Sequence, residues 1–195
     1  MKHTVIMDIL MAAGLAISLL LGGMKAFAAD CESVQDKVLR LHIPANSDSA
    51  EDQQMKLRLR DHILTEYGTE LASETDITAA KQQIEALLPE IEADCCEFLA
   101  EQGADYSATV QLVDMYFSTR TYENVTLPAG NYTALRITLG SGEGRNWWCV
   151  MFPPLCIPAA AEVSEELPDV LAAEGTEIEF KFALYEFLKK LFCKD

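Results

Sequence analysis

The sequence predicts an α+β fold: an antiparallel sheet of four to five strands, two main helices packed on one face, and a short C-terminal helix. Three observations carry this. Apolar residues recur at the 3–4 spacing of helices across 50–67 and 76–102. They recur at a spacing of two from Tyr106 to Phe152. One short β-rich segment, Val38–Ile43, precedes both helices, and Ile178–Phe182 alternates once more before a last helical stretch.

Val38-Leu39-Arg40-Leu41-His42-Ile43 reads as the first strand, and Pro44 ends it because proline lacks a ladder donor. Asp48 or Ser49 then caps a helix, with Glu51 or Asp52 three residues on closing a capping box. That helix places Met55, Leu59, His62 and Ile63 on one face and stops at Gly68. A second helix starts near Asp76, carries Ile84, Ile91, Cys95 and Leu99 at helical spacing, and ends at Gly103; Pro89 inside it predicts a kink or a break. From Tyr106 the apolar phase runs through Val110 and Leu112, then shifts to Val113, Met115 and Phe117, which predicts a bulge. Leu127–Asn131 reads as a turn. Thr133, Leu135, Ile137 and Leu139 form an apolar strand face, Gly140–Asn146 a hairpin loop, and Trp147–Phe152 the returning strand. Leu184, Leu188 and Leu191 close the chain as a helix.

The N-terminus sets the compartment. Met1-Lys2-His3, the apolar run from Ile9 to Met24 and the small residues around Ala26–Ala28 predict a signal peptide over 1–28, with a retained anchor as the competing reading. The run falls short of the ~20 residues that span hydrocarbon. Residues 29–195 are then a single secreted domain. Half of the chain is hydrophobic (50%), which excludes intrinsic disorder. The formal charge of −16 argues against nucleic acid and against docking on anionic lipid, leaving membrane contact to the N-terminal segment or a receptor.

Six cysteines allow many pairings. Cys149 and Cys156 are favoured on local grounds, since Pro153 and Pro154 force a turn between them, and closing that loop is worth about 2–3 kcal/mol. No ligand spacing for zinc exists, so no metal or cofactor is expected. Gly140-x-Gly142-x-Gly144 precedes a strand rather than a helix, which makes it a turn and not a phosphate cradle. A secreted hydrolase would need Cys149 with His42 or His62, or Ser47 with Asp48 and His42; helix capping explains Ser47 and Asp48 without catalysis. A cell-wall-binding module is a third reading. Asn146-Trp147-Trp148-Cys149 sets two indoles on opposite faces of one strand, and Phe152-Pro153-Pro154-Leu155-Cys156 would be a rigid apolar protrusion suited to protein recognition.

Three blocks carry a resemblance: Val38-Leu39-Arg40 through Ala45-Asn46-Ser47-Asp48-Ser49 to Arg60-Asp61; Leu127-Pro128-Ala129-Gly130-Asn131-Tyr132 with Ala134–Ile137; and Gly144-Arg145-Asn146-Trp147-Trp148-Cys149-Val150-Met151-Phe152-Pro153-Pro154-Leu155-Cys156. In these the chain resembles the stage II sporulation protein R family of endospore-forming bacteria. The resemblance implies a signal, not a catalyst. Such a protein is exported from the forespore into the space between the two sporulation membranes, where it activates a membrane-bound mother-cell protease that cleaves the sigma-E precursor. It brings no catalytic residue with it. The candidate partner contacts are Asn46, Ser47, Asp48, Arg136, Asn146, Trp147, Trp148, Pro153 and Pro154.

Overall fold

The structure, a computed structural model, describes residues 2–68, 76–122 and 125–153. They fall into two compact units: residues up to Val34 with Thr119–Ala129, and Gln35–Ser118 with Gly130 onward. The first unit holds helix α1 (Lys2–Gln35) and a ribbon of β3 (Arg120–Tyr122) and β4 (Val125–Leu127). Val5, Ile6, Met7, Ile9, Leu10 and Met11 are all exposed along α1. Among the described residues no helix is long and apolar enough to cross a membrane.

The second unit is the α+β body. Its elements are β1 (Leu39–Pro44), α2 (Ala50–Glu66), α3 (Ile77–Glu101), β2 (Ala108–Phe117), β5 (Gly130–Leu139) and β6 (Asn146–Phe152). The sheet order is β2-β5-β1-β6. β2–β5 and β1–β6 pair antiparallel, and β1–β5 is the one parallel pair. All six β1 residues are buried, as a central strand covered on both faces must be.

Ser49 caps α2 by accepting the Asp52 N–H, and Asp76 caps α3 by accepting from the backbones of Thr78 and Ala79. Met55, Leu59 and Ile63 of α2 and Ile84, Ile91, Cys95 and Leu99 of α3 supply the buried helix faces. α3 also closes the free edge of β2. The Glu92 carboxylate accepts the Val110 N–H at 2.8 Å, and the Cys96 thiol reaches the Ala108 carbonyl.

Several expectations are corrected. The β2 register runs unbroken from Ala108↔Leu139 to Phe117↔Gly130, so the phase switch is not a bulge. Instead, Val110 and Leu112 lie on one sheet face and Val113, Met115 and Phe117 on the other, and apolar residues are needed on each. The irregularity lies between β1 and β6, at Leu39/Arg40. The segment 140–145 is not a hairpin loop, because β1 inserts between β5 and β6; the loop crosses two strand spacings, about 10 Å. α3 passes Pro89 without ending, since Pro89 is exposed and buried Ile84 and Ile91 hold the helix on either side. Gly130 and Asn131 already belong to β5 rather than to a turn. The expected strand at 178–182 and the C-terminal helix lie outside the described residues.

Candidate functional site

Two loops meet at the end of the sheet where β1 stops and β6 begins. Proline at 44 ends β1, and the polar segment 45–49 turns toward α2. The Asn46 side chain accepts the Ser141 N–H and its carbonyl accepts the Ser141 hydroxyl, at 3.0 and 2.7 Å. The Asp48 carboxylate accepts the Arg145 N–H at 2.7 Å, and the Gly144 N–H donates to the Ala45 carbonyl at 2.8 Å. Gly142 sits at φ +68, and a Cβ on Gly144 would overlap the Ser47 carbonyl oxygen. The glycines expected to make a turn therefore let one loop lie flat against the other.

Asp52, in the first turn of α2, is the hub beneath these loops. Its carboxylate accepts from the Ser47 hydroxyl, from Asn46 Nδ2 at 3.0 Å and from the Tyr106 hydroxyl at 2.7 Å. The Ser47 bond, supported by those from Tyr106 and Asn46, holds the carboxyl below the usual carboxylate range against an opposing effect of burial. The capping box is consequently not closed: the Ser49 N–H goes to the Ser47 hydroxyl while Asp52 faces the loops. Buried Lys56 completes the fastening, donating to Gln53 Oε1 and to the Arg145 carbonyl at 2.7 and 2.8 Å. Burial lowers its ammonium pKa, the Arg145 and Arg60 charges lower it further, and Asp48 opposes them.

The two tryptophans stand on opposite faces of β6, as the period of two predicts. Trp147 pairs with Ile43 on one face, and the Arg60 guanidinium of α2 lies over its ring at 4.3 Å. Trp148 pairs with His42 on the other face and stacks on the imidazole, with ring centroids 3.9 Å apart and 9° between planes. Phe117 meets the Trp148 ring edge-on at 4.9 Å and lies under the Arg40 guanidinium at 4.3 Å. Arg40 itself is fully buried, and its Nε donates to the Cys149 carbonyl. Both indoles are half-buried, each with one face covered from within.

His42 is buried, and burial brings its pKa from 6.5 down to about 4; Asn146, bonded to Nε2 at 3.0 Å, works against this, and the nearby Arg136 charge adds to it. The ring is neutral at pH 7. Arg136 lies beside His42 in the parallel register.

The hydrolase constellations are not assembled among the described residues. The Ser47 hydroxyl donates to Asp52 and not to a histidine, His42 is bonded to Asn146, and His62 to Asp94 across α2 and α3. Cys149 is disulfide-bonded, so it is no thiolate nucleophile; the pairing proposed with Cys156 falls outside the described residues. No metal-holding group of histidine, cysteine and carboxylate occurs among the described residues. Pro153 is buried after a cis peptide bond to Phe152, while Pro154 lies outside the described residues.

The structure thus brings Asn46, Ser47, Asp48, Asn146, Trp147 and Trp148 to one end of the sheet, with Arg136 beside them. The three polar residues of the first loop act inward, as fasteners. Asp52, Lys56 and Tyr106 were missed as parts of this site, and His42 was weighed only as a catalytic base, not as the ring on which Trp148 stacks. A polar residue inside an apolar alternation was the signal available for His42, and a lysine at a core position of α2 the signal for Lys56.

The family described as stage II sporulation protein R matches residues 35–162. The stage II sporulation protein R of Bacillus subtilis (strain 168) is 36% identical over 231 aligned positions, which take in 98% of this chain and 100% of that relative. No solved structure matches the chain.

Proposed function

Because the chain belongs to the stage II sporulation protein R family, we propose that it is an exported signal of endospore formation. In this reading it crosses the forespore membrane on its N-terminal segment, whether that is removed or kept as an anchor. In the space beyond, it switches on a membrane-embedded protease of the mother cell, and the protease then processes the sigma-E precursor. The single observation that carries the reading is the extent of the family match, which takes in β1 to β6 and both helices of the body. The geometry supports a contact role over catalysis. Two loops fastened by Asp52 and Lys56 present Arg145, Asn146 and the tryptophans on a rigid frame, so little conformational freedom is lost when a partner docks.

The test is co-expression of this chain, the membrane protease and a sigma-E precursor in a non-sporulating host. Cleavage is expected only when all three are present. Cleavage that proceeds equally without the chain, or that fails with a folded and exported chain, overturns the proposal. Trp147→Ala and Trp148→Ala, each verified as folded, should both reduce cleavage; full activity in both would remove the tryptophans from the contact surface.

A further inference from the structure

β2 is an edge strand of the body's sheet, with β5 on one side only. α3 closes its other side as far as Val110, whose N–H is held by Glu92, and no farther. In an antiparallel pair the N–H and C=O of one residue point the same way, and the direction alternates along the strand. Val110 points away from β5, so Leu112 and Asp114 do as well, while Val113 points into the ladder. Among the described residues nothing bonds the outward N–H and C=O groups of Leu112 and Asp114. Asp114 is exposed, and Leu112, Val113 and Met115 are half-buried.

An edge left open in this way is a template for one more strand. Two features select its occupant. The open stretch carries half-buried apolar side chains, which a neighbouring strand would finish covering. The bordering elements are acidic: α3 carries Glu85, Glu90, Glu92, Asp94, Glu97 and Glu101 against its one cation Lys81, and β2 carries Asp114 and no cation. A second copy of the chain answers the first feature and not the second. Each copy has a formal charge of −16, and self-pairing over 112–114 would draw both Asp114 carboxylates to one seam. A lysine or arginine across from Asp114, with apolar residues flanking it, answers both.

We propose that the β2 edge at Leu112 and Asp114 takes an extended segment of the partner protein as an added strand, with a lysine or arginine of that segment beside Asp114. The proposal rests on the receptor-activating reading above and places a second contact on the sheet edge opposite β6 and its tryptophans. Glu92 marks where the added strand ends, since it already occupies the Val110 N–H.

Asp114→Pro removes an outward N–H and spares the ladder to β5, so the full chain should fold, while precursor cleavage in the co-expression assay should fall by about tenfold or more. Asp114→Lys, which keeps the N–H and reverses the charge, should lower cleavage as well. Full cleavage with either variant folded overturns the site. A second measurement does not depend on activation. In the unaltered chain the amide hydrogens of Leu112 and Asp114 should exchange quickly and that of Val113 slowly. The peptide acetyl-Val-Lys-Val-Lys-Val-amide should slow the first two by about tenfold, and acetyl-Val-Glu-Val-Glu-Val-amide should leave them unchanged. No protection by the lysine peptide at saturation, or equal protection by both, overturns the site even if activation is intact. Protection by the lysine peptide with no activation by the unaltered chain counts against the signalling reading alone. A dimer in sedimentation that Asp114→Pro dissolves also overturns the proposal, because the occupant is then a second copy.

Discussion

Asp52 and His42 are two residues whose ionisation is linked to folding on the acid side, and they fail in different pH windows. Asp52 is held below its ordinary pKa by its hydrogen bonds, the Ser47 bond foremost, so the folded state favours the carboxylate. The stability this contributes is present above the ordinary value of 3.8 and is lost as pH falls through the lower folded value. His42 also has a depressed pKa, but for a base this means the unfolded chain binds the extra proton. Stability is therefore full above 6.5 and declines as pH falls from there toward about 4. Thermal melts across this range should show two losses, a shallow one beginning near neutrality and a second below the carboxylate range. His42→Gln should flatten the first and leave the second. Asp52→Ala should cost roughly 2–3 kcal/mol at pH 7, since Asn46, Ser47 and Tyr106 lose a shared acceptor. A urea midpoint unchanged in Asp52→Ala would mean that the loops are fastened by other contacts.

At the scale of elements, the loop 140–145 depends on backbone approach more than on side chains. Gly144→Ala drives a Cβ into the Ser47 carbonyl oxygen, which backbone movement alone can relieve, and should destabilise by about 1–3 kcal/mol in a denaturant titration. Pro89→Ala should act in the opposite direction. Pro89 sits exposed in the interior of α3 and removes one helical hydrogen bond, so its replacement should stabilise by roughly 1–3 kcal/mol without altering the fold; a loss of stability would show that the helix needs its distortion. Much at this scale was legible in the sequence. Ser49, Asp76 and the 3–4 spacing placed both helices, and period two put Trp147 and Trp148 on opposite faces. Sheet order was not legible, because β1 contacts strands about a hundred residues away and nothing local states which neighbour it takes. Two consecutive strands with glycines between them read as a hairpin, and only the complete burial of β1 shows why it inserts between them. Asp52 was hidden for a related reason. An acid in the first helical turn looks like a cap, and its tertiary partner Tyr106 is 54 positions away.

For the molecule as a whole, the dominant electrostatic fact is self-repulsion at a formal charge of −16. Salt should therefore stabilise it, provided that screening of repulsion outweighs screening of attraction. The attractive side is small. Arg60–Asp61 and Arg145–Asp48 are both partly or largely exposed, and such pairs contribute about 0–1 kcal/mol each. The bonds that join the loops are short-range and shielded, with Lys56 and the Gly144 N–H buried, and salt reaches them least. Repulsion, in contrast, is summed over many exposed carboxylates at separations near the Debye length, which shrinks from ~10 Å at 0.1 M to ~3 Å at 1 M salt. The melting temperature should accordingly rise between those concentrations, by roughly 2–4 °C for each kcal/mol of repulsion relieved. Arg145→Gln should show the same rise, since it removes an exposed pair without touching the backbone N–H that Asp48 holds. A fall in melting temperature with salt would reverse this ordering, and would mean that the few ion pairs hold the body together more strongly than its net charge pushes it apart.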